Sequence, residues 1–279
     1  MSGTPAASAS SRVVVPERTC DAAPISTPVP VRRASLASAT AAVFAQQLSR
    51  AKVAVVPLLL VGALQSLGIL LLLRGVVDTS SVLTRQQVVS GATVLVAAFV
   101  CLNLFAQRIG SLRAEGGLAY YAAMDVRGSA VVLGAAGSYA VFVIPGAVVT
   151  ALVGAELYDL PLGRLWVLVA VLPLAGVSLA GVGALLGLLA PKPELATVAG
   201  QLGMSAVIFL NLIPAHRLPG AIRAVRAVVP STYGTEALAE TFRPNVNWSG
   251  VGIDLGICAA VAFVTLTLAA ALFRRRACD

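Results

Sequence analysis

LWVLVAVLPLAGVSLAGVGALLGLLA, residues 165–190, runs without one ionisable side chain between Arg164 and Lys192. As a helix it reaches further than the hydrocarbon core of a bilayer, which needs about 20 residues to cross roughly 30 Å. In lipid every backbone N–H and C=O must be satisfied inside the segment, so a run of this kind reads as a spanning helix. Five more runs of similar character lie at 53–73, 88–107, 129–155, 195–213 and 251–273. The fold class that follows is an all-α polytopic membrane protein with six transmembrane helices. Pro145 and Pro173 fall inside the two longest runs, where a kink or tilt is expected.

Composition agrees. The chain is 58% hydrophobic and 11% charged, against roughly 25% charged in soluble domains. Mean hydropathy is +0.91. Too few charges exist to cover a water-facing surface. The net charge of +8 does not mark a nucleic-acid binder, because the cations sit at the ends of apolar runs instead of clustering on a polar face. The four cysteines, Cys20, Cys101, Cys258 and Cys278, are far apart and lie in no C-x-x-C. Neither a metal site nor a disulfide framework is expected.

The flanks divide the rest. Residues 1–33, rich in Ser, Pro, Thr and Ala, predict a disordered cytoplasmic tail and not a secretory signal peptide. Residues 34–50 predict an amphipathic interfacial helix, with Leu36, Val43, Phe44 and Leu48 on one broad face. The six-span domain then covers 51–273, and 274–279 forms a cytoplasmic tail. Thirteen of the twenty Lys and Arg residues fall on the side of the two termini, so the positive-inside rule puts both termini in the cytoplasm. Arginine far exceeds lysine and alanine and valine abound, a composition that points to a bacterial plasma membrane.

Catalytic signatures are missing from the sequence. The polar residues at mid-span, Gln65, Asn103 and Gln201, are uncharged and read as helix–helix hydrogen bonders. Only Lys52 and Lys192 are lysines and neither follows a glycine, so no phosphate-binding loop exists. Any ATP hydrolysis must reside on another chain. Gly183/Gly187 and Gly252/Gly256 form two GxxxG pairs suited to close helix packing.

Two loops carry the remaining information. The inner loop 108–128 contains Arg113, Glu115, Gly116, Gly117, Tyr120, Tyr121 and Asp125. That mixture of charges and aromatics suggests a contact surface. The outer segment 214–250 contains Leu218-Pro219, an amphipathic stretch around Ile222 and Val225, then Pro230-Ser231-Thr232-Tyr233 and Glu236-Ala237-Leu238. It is too apolar for a free loop and predicts short helices dipping into the outer leaflet. Trp248 reads as an interface anchor.

With these motifs in order, the chain from about residue 40 to 273 resembles the membrane subunit of type-2 ATP-binding-cassette exporters, the multidrug and antibiotic-resistance kind. The carriers of the resemblance are the six spans behind an interfacial helix and Arg113, Glu115, Gly116 and Leu118 before the third span. The Pro191-Lys192-Pro193-Glu194 turn and the outer segment complete it. The family often has Gly-Thr-Leu-Glu where this chain has Gly116-Gly117-Leu118-Ala119, and a proline where it has Asp125.

The resemblance implies an efflux permease working as a homo- or heterodimer in the bilayer. Each copy would dock a cytoplasmic ATPase that binds ATP and magnesium, with no cofactor on this chain. It implies coupling residues Arg113, Glu115, Gly116, Gly117 and Asp125, and an outer gate at Pro219, Pro230, Tyr233 and Glu236. An integral membrane enzyme acting on lipid-linked substrates, or a non-catalytic membrane anchor or sensor, are the competing readings.

Overall fold

Among the residues that the structure describes, every regular element is a helix. That structure is a computed structural model, describing residues 35–76, 81–123, 127–212, 226 and 229–278. Helix α1 (Leu36–Val76) is continuous over 41 residues. It joins the segment expected as a separate interfacial helix, 34–50, to the run 53–73. No glycine or proline lies between Ser35 and Lys52, so nothing in the local sequence stops the helix.

The next span is a single rod, Val82–Ala114. It is built from α2 (Val82–Ala97), a π-helical segment (Ala98–Leu104) and α3 (Phe105–Ala114). A short helix α4 (Gly117–Ala123) turns the corner into α5 (Gly128–Leu157). A 3-10 turn (Leu162–Val167) leads into α6 (Leu168–Leu189), followed by α7 (Pro193–Leu212). Helix α8 (Pro230–Thr241) and the terminal α9 (Trp248–Cys278) complete the chain. Both α5 and α6 run through their prolines, Pro145 and Pro173, without a break. Helix α9 continues through the residues read as the tail 274–279 as far as Cys278.

Five helices among the described residues are long and apolar enough to cross a membrane: Val82–Ala114, Gly128–Leu157, Leu162–Leu189, Pro193–Asn211 and Trp248–Arg275. Each overlaps one of the runs read from the sequence, and three contain theirs whole: 88–107, 129–155 and 251–273. The described apolar part of α1, Leu60–Gly75, is shorter.

The rod Val82–Ala114 lies at the centre. Its most apolar stretch is 89% buried, against 28% for α7 and 22% for α9. Helices α5, α6, α7 and α8 all pack on it. Small residues make that packing close. A Cβ on Gly183 would stand 2.7 Å from Cys101 O, and one on Gly187 2.6 Å from Ala106 O. These α6 glycines let α6 lie backbone-to-backbone on the π segment and α3. The wider π turn also brings Asn103 to α7, where its Nδ2 donates to Gln201 Oε1 at 3.1 Å. Gln107 Nε2 in turn donates to Asn103 Oδ1 at 2.8 Å. The helix–helix role expected for Asn103 and Gln201 is thus observed.

Helix α1 runs alongside α5 in the same direction. Gly134 meets Thr40 and Val43 near their beginnings, and Gly154 meets Leu70 near their ends. There the Tyr158 hydroxyl donates to Leu70 O at 2.8 Å. Burial pushes the Tyr158 pKa up, with Arg74 pulling the other way.

The two GxxxG pairs have different fates. Gly252 and Gly256 have no atom near an added Cβ, whereas Gly183 and Gly187 meet backbone carbonyls. Gly183→Ala is therefore expected to lower stability by about 1–3 kcal/mol through overpacking. Gly256→Ala should hold or raise it, since alanine favours a helix by roughly 1 kcal/mol over glycine. Thermal unfolding of the two variants in the same detergent checks the contrast.

Candidate functional site

Polar and charged side chains gather at the two ends of the bundle, and each end has its own construction. At one end, α3 stops because Gly116 adopts φ +73°, a left-handed turn that a Cβ disfavours. Gly117 follows, with an added Cβ only 2.6 Å from Leu112 Cδ1. Both glycines are thus set by the geometry of the corner. Arg113, in the last turn of α3, donates from Nη1 to Ala190 O and, at 3.3 Å, to Leu188 O. These are exposed-end carbonyls of α6, where the helix dipole is negative, so a guanidinium caps them well. Arg113 is accordingly a clasp between α3 and α6.

Glu115 is exposed and forms no ion pair among the described residues. Tyr120 is 62% exposed while its neighbour Tyr121 is buried. Other turns share this end. Gly110 packs on Ala196 and Pro193, behind the Pro191-Lys192-Pro193-Glu194 turn. Gly128, starting α5, meets Phe273 and Arg274 of α9. The beginning of α1 and the end of α9 therefore lie at the same end as the corner. Asp125 lies outside the described residues.

At the opposite end, α8 is wedged among α2, α6, α7 and α9. Its start is fastened by a polar latch. Gln87 Nε2 donates to Asn211 O at 2.8 Å. Asn211 Nδ2 donates to Ser231 Oγ at 2.8 Å, and Thr232 Oγ1 donates to Asn211 Oδ1 at 3.2 Å. Pro230 occupies the first turn of α8, where its missing N–H costs nothing. Its carbonyl accepts from Cys258 Sγ at 3.5 Å. The end of α8 is held by Gln86 Nε2, which donates to Phe242 O at 3.1 Å.

Beside α8 opens a cavity of about 440 Å³, lined by Gln86, Gln87, Arg226, Glu236, Glu240 and Asp254 among others. Arg226 Nη2 pairs with Glu236 Oε1 at 2.9 Å, the arginine side chain 4% exposed and the carboxylate 41%. Arg243 pairs with Glu240, three residues before it.

Of the residues expected at a gate, Pro230, Tyr233 and Glu236 thus share α8, and Pro219 lies outside the described residues. Sequence inspection missed Gln86, Gln87 and Asn211, which fasten α8, and missed Arg226 as the partner of Glu236. The latter two are ten positions apart across Pro230, and no helical spacing signals such a pair. The amphipathic stretch that contained Arg226 was the sole hint. Among the described residues, no three His, Cys, Asp or Glu side chains come together as a metal site requires.

The class defined by these features is a multi-pass, all-helical membrane protein. The chain belongs to the ABC-2 family of transporter proteins, whose family model matches residues 78–271. It is a membrane transport permease by that membership. No curated protein matches the chain.

Because Arg226 is almost wholly buried, its carboxylate partner matters more than the Glu240–Arg243 pair, whose arginine is 47% exposed. Glu236→Gln is expected to cost about 1.5–3 kcal/mol, the range for a hydrogen bond to a charged group. Arg243→Ala, which removes the exposed partner of its pair, should cost no more than about 1 kcal/mol. Urea or thermal unfolding of both variants measures the difference.

Proposed function

We propose that this chain is the permease subunit of an ATP-driven exporter, forming the path for a hydrophobic or amphipathic substrate in a bacterial plasma membrane. The observation that carries the proposal is the family match over residues 78–271, together with a bundle whose two ends are built differently. One end offers an exposed corner, with Glu115 and Tyr120 on either side of Gly116 and Gly117. The other offers α8 and a charged cavity at the mouth of the bundle.

In this proposal the corner end faces the cytoplasm and docks a separate ATPase, which binds ATP and magnesium. Both termini lie on that side, a placement supported by the shared position of the beginning of α1 and the end of α9. Six spans result, α1 supplying the first. Two permease copies, identical or different, assemble with two ATPases. ATP-driven closure of the ATPases pushes on the corner at Glu115, Gly116 and Gly117, with Asp125 nearby in sequence. The rod Val82–Ala114 and α6, clasped by Arg113, carry the push across the bilayer as a rigid unit. It reaches the gate at Pro219, Pro230, Tyr233 and Glu236 through the contacts of α2 with α8.

An exporter subunit of this kind hydrolyses no ATP alone and copurifies with its ATPase. Glu115→Arg should cut efflux severalfold while leaving insertion and thermal stability intact, because Glu115 is exposed. Arg113→Ala should instead lower stability, since it unclasps α6. Efflux at the unaltered rate in the Glu115→Arg variant would remove the coupling role, and activity in vesicles lacking any ATPase would remove the function itself.

A further inference from the structure

A second cavity, of about 500 Å³, opens on the other side of Gln86 and Arg243 at the same end of the bundle. Its lining includes Arg85, Asp159, Leu160, Arg164, Phe242 and Arg243, three arginines against one exposed carboxylate, that of Asp159. Arg243 is already paired with Glu240. Arg85 and Arg164 are not paired with any carboxylate among the described residues. Arg85 donates from Nη1 to Tyr158 O at 3.4 Å, and its Nε is buried without a hydrogen-bond partner. Arg164 donates to Arg243 O and, at 3.2 Å, to Pro244 O. Helix α2 begins beside the cavity with no side-chain cap and no acidic residue in its first turn. The positive end of its dipole adds to the field of the guanidinium groups.

Depth is set by the chain itself. Every lining residue belongs to the end of an apolar helix or to the connection between two. Trp166 and Trp248 stack at 5.8 Å nearby in sequence, both at least half exposed, as membrane-interface aromatics do. The cavity thus sits where phospholipid headgroups sit. Immediately after Arg164 begins an apolar groove of about 240 Å³ between α5 and α6. Leu165, Leu168 and Leu172 form one wall, and Ile144, Val148 and Leu152 the other. The groove runs from the arginine-lined end toward the middle of the bundle, along both helices.

We propose that this arrangement is a phospholipid site: a phosphodiester bound by Arg85 and Arg164, with one acyl chain in the α5–α6 groove. An anion of that kind supplies acceptors for the buried Nε of Arg85, and guanidinium groups match phosphate geometry in a fork. The groove selects a lipid over a soluble phosphate. The site shares Gln86 and Arg243 with the cavity beside α8, but it does not depend on what is exported.

Native mass spectrometry of the full-length chain in detergent, titrated with phosphatidylglycerol or with diacylglycerol of the same chains, tests it. Phosphatidylglycerol should remain bound and diacylglycerol should not. Arg85→Gln and Arg164→Gln should each weaken retention about tenfold or more, Arg85→Lys should restore part of it, and Arg74→Gln, outside the cavity, should change nothing. Val169→Trp, at an exposed position lining the groove, should reduce lipid retention as well. Since Arg164 and Val169 are surface positions, these variants should still fold. Equal retention by the arginine variants, or equal retention of diacylglycerol, would overturn the site. Displacement of the lipid by inorganic phosphate, with no effect of Val169→Trp, would overturn the lipid source and leave a soluble phosphate as the ligand.

Discussion

The burial of one span decides the form of the others. The rod Val82–Ala114 is enclosed almost completely, and an enclosed apolar helix leaves its neighbours to face lipid. In a bilayer no hydrophobic force drives helices together, because lipid is as apolar as leucine. Close backbone approach and hydrogen bonds between helices have to do it. Gly183 and Gly187 provide the first by meeting the carbonyls of Cys101 and Ala106. Asn103, Gln107 and Gln201 provide the second. Both sets of contacts fall on or next to the π segment, whose extra residue per turn re-aims side chains within the helix.

The two ends inherit their character from that rod. At one, α3 ends in Arg113, which is bound to the last carbonyls of α6, and in two glycines that shape a sharp corner. At the other, Gln86 and Gln87, in the first turns of α2, hold both ends of α8 through Phe242 O and Asn211. In the proposed exporter a displacement of the corner would reach α8 through this one continuous rod. That continuity gives the proposed exporter a physical link between its ATPase and its gate.

Much of the fold was legible in the sequence, because lipid imposes long apolar runs that composition alone reveals. The runs at 88–107, 129–155 and 251–273 fall within helical segments of the structure, 165–190 is helical as far as Leu189, and 195–213 as far as Leu212, the last described residue of that run. The continuity of 34–50 with 53–73 was not legible, since a change from amphipathic to apolar character was read as a boundary and yet leaves no mark on the helix. The candidate sites were legible in part. Gly116 and Gly117 were singled out as coupling residues, and what the structure shows of them is the tight corner that each fits. Arg113 was identified as charged and near a corner, yet its carbonyl partners on α6 lie some seventy-five residues further along the chain. The partners of Glu236 and the fasteners of α8 depend on folding over similar separations, and neither spacing nor composition encodes them.

The assignment of the corner to the cytoplasm and α8 to the exterior is tested most directly by sidedness. In a chain whose native cysteines are replaced, single cysteines at Glu115 and Asn245, both exposed, can be probed with a membrane-impermeant maleimide in right-side-out vesicles. Asn245→Cys should label at once and Glu115→Cys only after the vesicles are opened. Labelling of Glu115→Cys from outside, or of both positions from one face, would contradict the arrangement.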